Sequence, residues 1–363
     1  MPEALDFVVD KADLRRAAFV PGRATADTAL APGAVLVRTG PFALTANNVT
    51  YGVAGDLMGY WGFFPAAEGW GRIPVWGFGD VVRSRHDALA AGERLYGYFP
   101  ISTYVVLAAD QVTPLTFIDA APHRAGLPPF YNQYTRVAAD PAYTPTNEGA
   151  IALFRPLFAT GFLLDDFLAR ESFFGARDVV LSSASSKTAL ALAFLLSSGR
   201  REQCRVIGLT SASNAAFVRS TGYYAEVFTY DEIAAKLPTD PGVFVDFAGN
   251  PRLVEAVHRR LAGALRYSCQ VGITHWDHLG PVDGLPGPAP ILFFAPDHGA
   301  KRVADWGPAE FATRLGSAME RFLGSVAGWL EITVGCGPAA IEAVYRALLE
   351  GRTNPACGHV LSL

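Results

Sequence analysis

Between Asp178 and Ser197 the chain reads DVVLSSASSKTALALAFLLS, and the residues able to do chemistry there are Ser183, Ser185, Ser186 and Lys187. They follow a short apolar run, Val179 to Leu181, and precede a stretch rich in Ala and Leu with helical character. A strand, a turn of small residues and a helix start together make an anion cradle. The first helical turn leaves backbone N–H groups unpaired, and the helix dipole puts partial positive charge at the same end. In a dinucleotide-binding unit the anion held there is a pyrophosphate. Three glycines ordinarily shape that turn, for positive φ, close backbone approach and close helix packing. Here Ser183, Ser186 and Ala189 stand in their places. They are small enough for approach and packing, but they resist positive φ. Serine hydroxyls add donors to phosphate oxygens, and Lys187 adds a charge-assisted contact if it faces the ligand. The competing reading is a degenerate loop that has lost dinucleotide.

A second apolar run, Arg205 to Thr210, ends at Ser211, Ala212 and Ser213. An Asp or Glu at this point binds the ribose hydroxyls of NAD, and none is present. Nothing therefore repels a 2′-phosphate. Ser211 and Ser213 can donate to it, with Arg219 a more distant cation. The cofactor expected on this ground is NADP(H) rather than NAD(H). The plainer role for Ser213 is a helix cap.

Composition sets the limits. The chain has 363 residues, 50% of them hydrophobic and 18% charged, with a formal net charge of −4. Such a chain builds a sizeable core and has room for two domains. No basic run or aromatic–basic interleaving marks a nucleic-acid surface. The first residues lack the apolar core of a signal peptide, and apolar segments are broken by Gly, Pro and charge, so no membrane association is expected. The four cysteines, Cys204, Cys269, Cys336 and Cys357, are isolated, which argues against structural zinc and for a reducing, cytoplasmic setting. ITHWDHLG carries His275 and His278 around Asp277. Two histidines without a third placed ligand read as loop residues, with proton transfer by His275 as the alternative. SSKT is a fragment of a phosphate loop whose GxxxxGK[ST] frame is missing.

The elements that position these residues follow from the periodicity. Residues 1 to about 145 read as short strands between Gly and Pro turns. Val35–Arg38 and Ala43–Asn47 flank a Thr-Gly-Pro turn; Gly79–Ser84, Arg94–Tyr98 and Tyr104–Leu107 follow. NNVTYGVAGDLMGYW has little regular periodicity. Val112 to Gly149 is Pro-rich and aromatic, either a surface excursion or a lid, with Tyr131, Asn132 and Tyr134 placed to close over a substrate. From Glu148 strands and helices alternate, which implies an α/β, doubly wound parallel sheet. A strand-like LEITV, a helix over 338–350 and a terminal strand close the chain.

The order of these elements resembles the medium-chain dehydrogenase/reductase superfamily, in its zinc-independent quinone- and enoyl-reductase branch. PVWGFGDVVRS is similar to its PGxExxGxVxx strand, AAGERLYGY to its VGDRVYG turn, and RPLFATGFLL to its PLxxxTAYxxL helix. VFVDFAGNPRL is similar to its FDxVGG turn and helix, and AVYRALLEGRTNPACGHVLSL to its closing helix and strand. The likeness covers most of the chain and points to a bacterial family of unknown function related to that superfamily. It implies a GroES-like β domain over 1–147 and 325–363 and a Rossmann domain over 148–324.

The resemblance also implies roles. Thr160 falls where the superfamily places a Thr near the nicotinamide amide, and Gly249 where backbone passes close to the ribose. Asn48, Thr50 and Tyr51 fall in the loop that carries a Cys zinc ligand in zinc-dependent relatives. None is present here, and Tyr51 is expected to donate to a developing enolate. The implied activity is NADPH-dependent hydride transfer, without metal, to a small-molecule enone, quinone or related carbonyl in an interdomain cleft. A homodimer through Rossmann edge strands near Ile291 to Ala295 is implied as well. The alternative is a non-catalytic scaffold that binds a small molecule or partner.

Overall fold

Short apolar strands between Gly and Pro turns bury a face only by closing on one another, and in the computed structural model they do. Residues 4–272 and 284–363 are described. They divide into two units, Met1–Leu153 with Glu331–Leu363, and Phe154–Leu330.

The first unit begins with β1 (Leu5–Asp10), β2 (Ala17–Pro21), β3 (Ala34–Leu44), β4 (Trp70–Gly71), β5 (Pro74–Ser84), β6 (Arg94–Pro100), β7 (Tyr104–Asp110), β8 (Thr116–Asp119) and β9 (Gln133–Arg136). Strands β3, β5, β6, β9, β8 and β7 pair in that order, and β7 returns to β3 to close a barrel. Closure leaves no free edge within the ring. Strands β2, β1 and β4 form a separate small antiparallel sheet. The two runs expected on either side of Thr39-Gly40-Pro41 are one bent strand, whose pairing with β5 shifts register between Thr39 and Phe42.

Two expectations for this unit are corrected. The stretch after β3 is not an irregular loop but helix α1 (Ala46–Val53). Thr45 caps it, and Asn48 Oδ1 accepts from the Thr45 backbone N at 2.7 Å, a reciprocal box of side chain and main chain. The sequence hides the helix because Asn, Thr, Tyr, Gly and Val are poor helix formers. The Pro-rich stretch after β7 is likewise no free lid. Its middle is pinned by Arg124 and Asp119, whose side chains are each 2% exposed and lie 3.0 Å apart. Tyr134, also buried, donates to the Tyr98 carbonyl at 2.5 Å.

The second unit takes in most of α2 (Glu148–Arg170) and then alternates: β10 (Asp178–Leu181), α3 (Lys187–Gly199), β11 (Arg205–Thr210), α4 (Ala215–Ser220), β12 (Glu226–Thr229), α5 (Ile233–Lys236), β13 (Gly242–Asp246), α6 (Pro251–Leu261), β14 (Leu265–Gln270) and β15 (Ile291–Leu292). Its sheet is parallel throughout, ordered β12-β11-β10-β13-β14-β15. The order reverses between β10 and β13, and a doubly wound sheet opens its ligand crevice beyond the carboxyl ends of the strands at such a point. Gly161 lets α2 lie close on α3, since a Cβ there would stand 3.0 Å from the Leu192 backbone N. Helices α7 (Ala295–Trp306), which the sequence reading missed, and α8 (Pro308–Val326) complete the unit. The chain then returns to the first unit through β16 (Glu331–Cys336), α9 (Pro338–Leu349) and β17 (Cys357–Ser362); β17 pairs with β3, and β16 is the outer strand.

His258, on α6, ties this helix to the sheet. It is fully buried, with Nε2 2.9 Å from Ser268 Oγ and Nδ1 3.0 Å from the Pro286 carbonyl. A carbonyl only accepts, so Nδ1 carries the proton and Nε2 accepts from the serine. Burial lowers the His258 pKa. The unfolded chain therefore takes up this proton more readily than the native one. The stabilisation is fully present above the ordinary histidine pKa of about 6.5 and is lost as pH falls below it toward the native value. Urea midpoints measured between pH 8 and pH 5 should fall more steeply for the parent protein than for His258→Gln.

Candidate functional site

The turn after β10 keeps the shape that glycine would allow, although it contains none. Ser183 has φ +44°, in the left-handed region. Around it the turn is closed by main-chain bonds: Ser186 N to Ser183 O at 2.7 Å and Ala184 N to Leu209 O at 3.0 Å. The Tyr224 hydroxyl donates to the Ala184 carbonyl at 2.8 Å. Gly208 makes room beneath, since a Cβ there would meet the Tyr224 ring at 2.8 Å and Ala184 at 3.0 Å. Ser186 caps α3, its Oγ accepting from Ala189 N at 3.3 Å. Ser183, Ser185, Ser186 and Lys187 are all partly exposed, as a ligand-binding turn requires. A left-handed backbone is strained for any residue bearing a Cβ, so Ser183→Gly should stabilise the protein by about 0.5–1 kcal/mol after allowing for the looser unfolded chain. Thermal and urea unfolding of the variant check this.

The next strand end lies beside this turn. Asn214 Nδ2 donates to Ser185 Oγ at 3.1 Å, and the hydroxyls of Ser211 and Ser213 are 2.9 Å apart. Ser185, Ser211 and Ser213 thus form one polar, carboxylate-free group joined by Asn214, a residue the sequence reading did not single out. Arg219 is turned elsewhere, with Nη2 donating to the Val227 carbonyl at 3.0 Å. Tyr230 was also missed. Its hydroxyl lies against Ser183, and burial is the main cause of its raised pKa.

Gly249, in the turn after β13, has φ +67°, so the backbone itself calls for glycine. Its N–H donates to Asp246 Oδ2 at 3.0 Å. Asn250 Oδ1 caps α6, accepting from Arg252 N at 3.0 Å and Leu253 N at 3.4 Å. Thr160, half-buried on α2, donates its hydroxyl to the Pro156 carbonyl at 3.2 Å. That leaves the oxygen as an acceptor only. His275 and His278 lie outside the described residues. Among those described, no group of three or more His, Cys, Asp or Glu is placed to hold a metal ion, and no helix is long and apolar enough to cross a membrane.

The candidates of the first unit lie on α1, not in a loop. Asn48 is committed to structure: besides its capping bond, its Nδ2 donates to the Pro74 carbonyl at 2.8 Å. Thr50 is partly exposed one position before Tyr51. Tyr51 is buried among Tyr60, Tyr98, Tyr131 and Trp76. Trp76 Nε1 donates to its hydroxyl at 3.1 Å. An indole nitrogen only donates, so the phenol oxygen accepts and keeps its own proton. Asn47 is a second hydrogen-bond partner of the hydroxyl. Burial, then the nearby Tyr60, raises the Tyr51 pKa, so the group stays a donor. Beside it the Tyr60 and Tyr131 hydroxyls are 3.2 Å apart.

A barrel joined to a parallel sheet of this strand order is a fold shared with solved structures that include an enoyl reductase and a putative quinone reductase. The chain is similar to CurA from Vibrio vulnificus at 14% identity and a TM-score of 0.61, over 99% of this chain and 98% of that one. A putative NADPH:quinone reductase from Mesorhizobium loti is similar at 14% identity and a TM-score of 0.57, over 100% and 99%. The yhdH oxidoreductase from Salmonella enterica, solved in complex with NADP, is similar at 12% and 0.56, over 99% of each chain. The chain itself belongs to the family described as Protein of unknown function (DUF2855), whose sequence model matches residues 42–354. No curated protein matches the sequence.

Proposed function

We propose that this protein is a cytoplasmic, NADPH-dependent oxidoreductase that reduces an enone, quinone or related small carbonyl compound without zinc. The observation that supports this reading is the left-handed φ of Ser183, a backbone conformation that a glycine would ordinarily supply in such a turn. Ser183, Ser185, Ser186 and Lys187 with the amino end of α3 would hold the pyrophosphate. Ser211 and Ser213 would take the 2′-phosphate, unopposed by any carboxylate at that strand end. Gly249 would admit the ribose, and Thr160, left as an acceptor, suits the N–H of a nicotinamide carboxamide. NADPH, when bound, supplies the hydride. Tyr51 would donate a hydrogen bond, and then its proton, to the oxygen on which negative charge develops, with Thr50 and Asn48 holding its helix.

Titration calorimetry with NADPH and with NADH tests the reading, followed by a screen of enones and quinones with the cofactor that binds. Saturable binding that favours NADPH, with turnover, is the expected result. Folded protein that binds neither nucleotide would be a non-catalytic scaffold instead. The reading includes a homodimer through β15, where Ile291 and Leu292 are 52% and 49% exposed at an open sheet edge. Such an edge is a pairing hazard unless covered. A mass that stays monomeric across a concentration series would remove the dimer.

A further inference from the structure

Beneath the serine turn lies a buried polar pair that the cofactor roles above do not use. Asp246 ends β13, is 3% exposed, and sits where the sheet order reverses. Ser182, fully buried, follows β10 directly. Ser182 Oγ donates to Asp246 Oδ1 at 2.5 Å and accepts the N–H of Phe247 at 2.8 Å and of Ala248 at 3.2 Å. Ala248 N also donates to Oδ1 and Gly249 N to Oδ2, each at 3.0 Å. The Asp246 carbonyl accepts from Val271 N at 2.8 Å and Gly272 N at 3.3 Å, and Ser182 N donates to the Val245 carbonyl at 3.1 Å. One buried residue therefore fastens the turns that leave β10, β13 and β14.

A buried carboxylate is retained only where donors meet its lone pairs, and those donors then have little freedom to move. Two of the fastened turns hold left-handed residues. Gly249 adopts its φ without strain, but Ser183, next to Ser182, does not. A strained backbone persists only where its surroundings over-determine it. Glycines would give the turn its shape for nothing; with serine in their place, something else must hold it.

We propose that Ser182 and Asp246 form a positioning clasp. Without touching the dinucleotide, the pair holds the Ser183 and Gly249 turns in the arrangement that binds it, and so replaces the missing glycines. The inference rests on the dinucleotide reading above. Asp246→Asn converts an acceptor into a donor that faces other donors. Ser182→Ala removes the link more gently and serves where Asp246→Asn fails to fold.

The experiment measures NADPH affinity by calorimetry, and amide hydrogen exchange across residues 182–186, for the parent protein, S183G, S182A, D246N and the two double variants. The expected result is at least a tenfold loss of affinity in S182A and D246N relative to the parent, with faster exchange in the turn. S183G alone gives the cost of removing the Ser183 hydroxyl; in that background, where the strain that the clasp opposes is relieved, S182A and D246N cost much less affinity than they do in the parent. Melting temperatures run in parallel separate this from a general loss of stability: a merely structural pair would lower them without the affinity loss shrinking in the S183G background. Parent-like NADPH binding in both variants, or an equal loss with and without S183G, overturns the clasp. A parent protein that binds no NADPH overturns the dinucleotide reading instead. Exchange then decides the clasp alone, supporting it if S182A loosens the turn and sinking it if the turn stays protected.

Discussion

Arg124→Ala should destabilise the protein by about 3–5 kcal/mol, the cost of stranding one partner of a buried ion pair. Arg124 and Asp119 are both almost wholly removed from water and 3.0 Å apart. Asp119 Oδ1 also accepts from Ala108 N at 2.9 Å and Ala121 N at 3.1 Å, which holds β8 against β7. The guanidinium lies over Phe64, its carbon 4.6 Å from the ring centroid, and reaches Asn132 Oδ1 at 3.4 Å. Without Arg124 the carboxylate keeps its two backbone donors and loses its counter-charge. Replacing both partners together, as Arg124→Met with Asp119→Asn, should recover part of the loss, because the asparagine oxygen still accepts from both backbone N–H groups and no unpaired charge stays buried. Urea unfolding at constant m value checks both. A loss below about 1 kcal/mol, the size typical of an exposed pair, would show that water reaches the site.

On the proposed reading, Tyr51→Phe should lower kcat by about 10²–10⁴-fold, the range for removing a positioned proton donor, with NADPH affinity unchanged. The change deletes one hydroxyl and leaves the Trp76 N–H without its acceptor, so a stability loss of about 1–3 kcal/mol should accompany it. The two effects are separable. Trp76→Phe removes the indole donor but keeps the phenol, so it should preserve much of the turnover. If Tyr51→Phe loses stability but retains parent turnover with every enone and quinone that the protein accepts, the tyrosine belongs to the core of the barrel and the proton comes from elsewhere.

Much of the second unit was legible because parallel strands buried on both faces read as plain apolar runs, and each was followed by a turn of small or capping residues. Val179–Leu181 and Arg205–Thr210 both fall within strands of the sheet. The serine turn was legible in place but not in conformation. Composition says that Ser183 resists a left-handed φ, whereas the bonds that force it there come from residues distant in sequence. Ser182 and Asp246 are 64 positions apart, and only the sheet brings them together. Helix α1 was misread because its stability lies in a side-chain cap and a buried face, not in propensity. The Pro-rich stretch was read as loose because proline and aromatic residues signal irregular backbone, which it has. Irregular backbone can still be tightly held, and the buried Arg124 is what holds it.

The pairing of β17 with β3 sets Leu361 opposite Phe42 and His359 opposite Leu44, and the Tyr345 hydroxyl donates to the Leu14 carbonyl at 2.8 Å. The first unit is thus built from both ends of a long stretch of chain, with the second unit inserted between them. On a ribosome, which delivers the chain from the amino end, the inserted sheet has all its strands available before the strand that completes the outer one has been made. Until then Phe42 to Leu44 present an unpaired edge. A truncation that removes β17 should therefore leave the second unit able to fold while the first is exposed to proteases and chaperones, and the order of synthesis becomes an order of assembly.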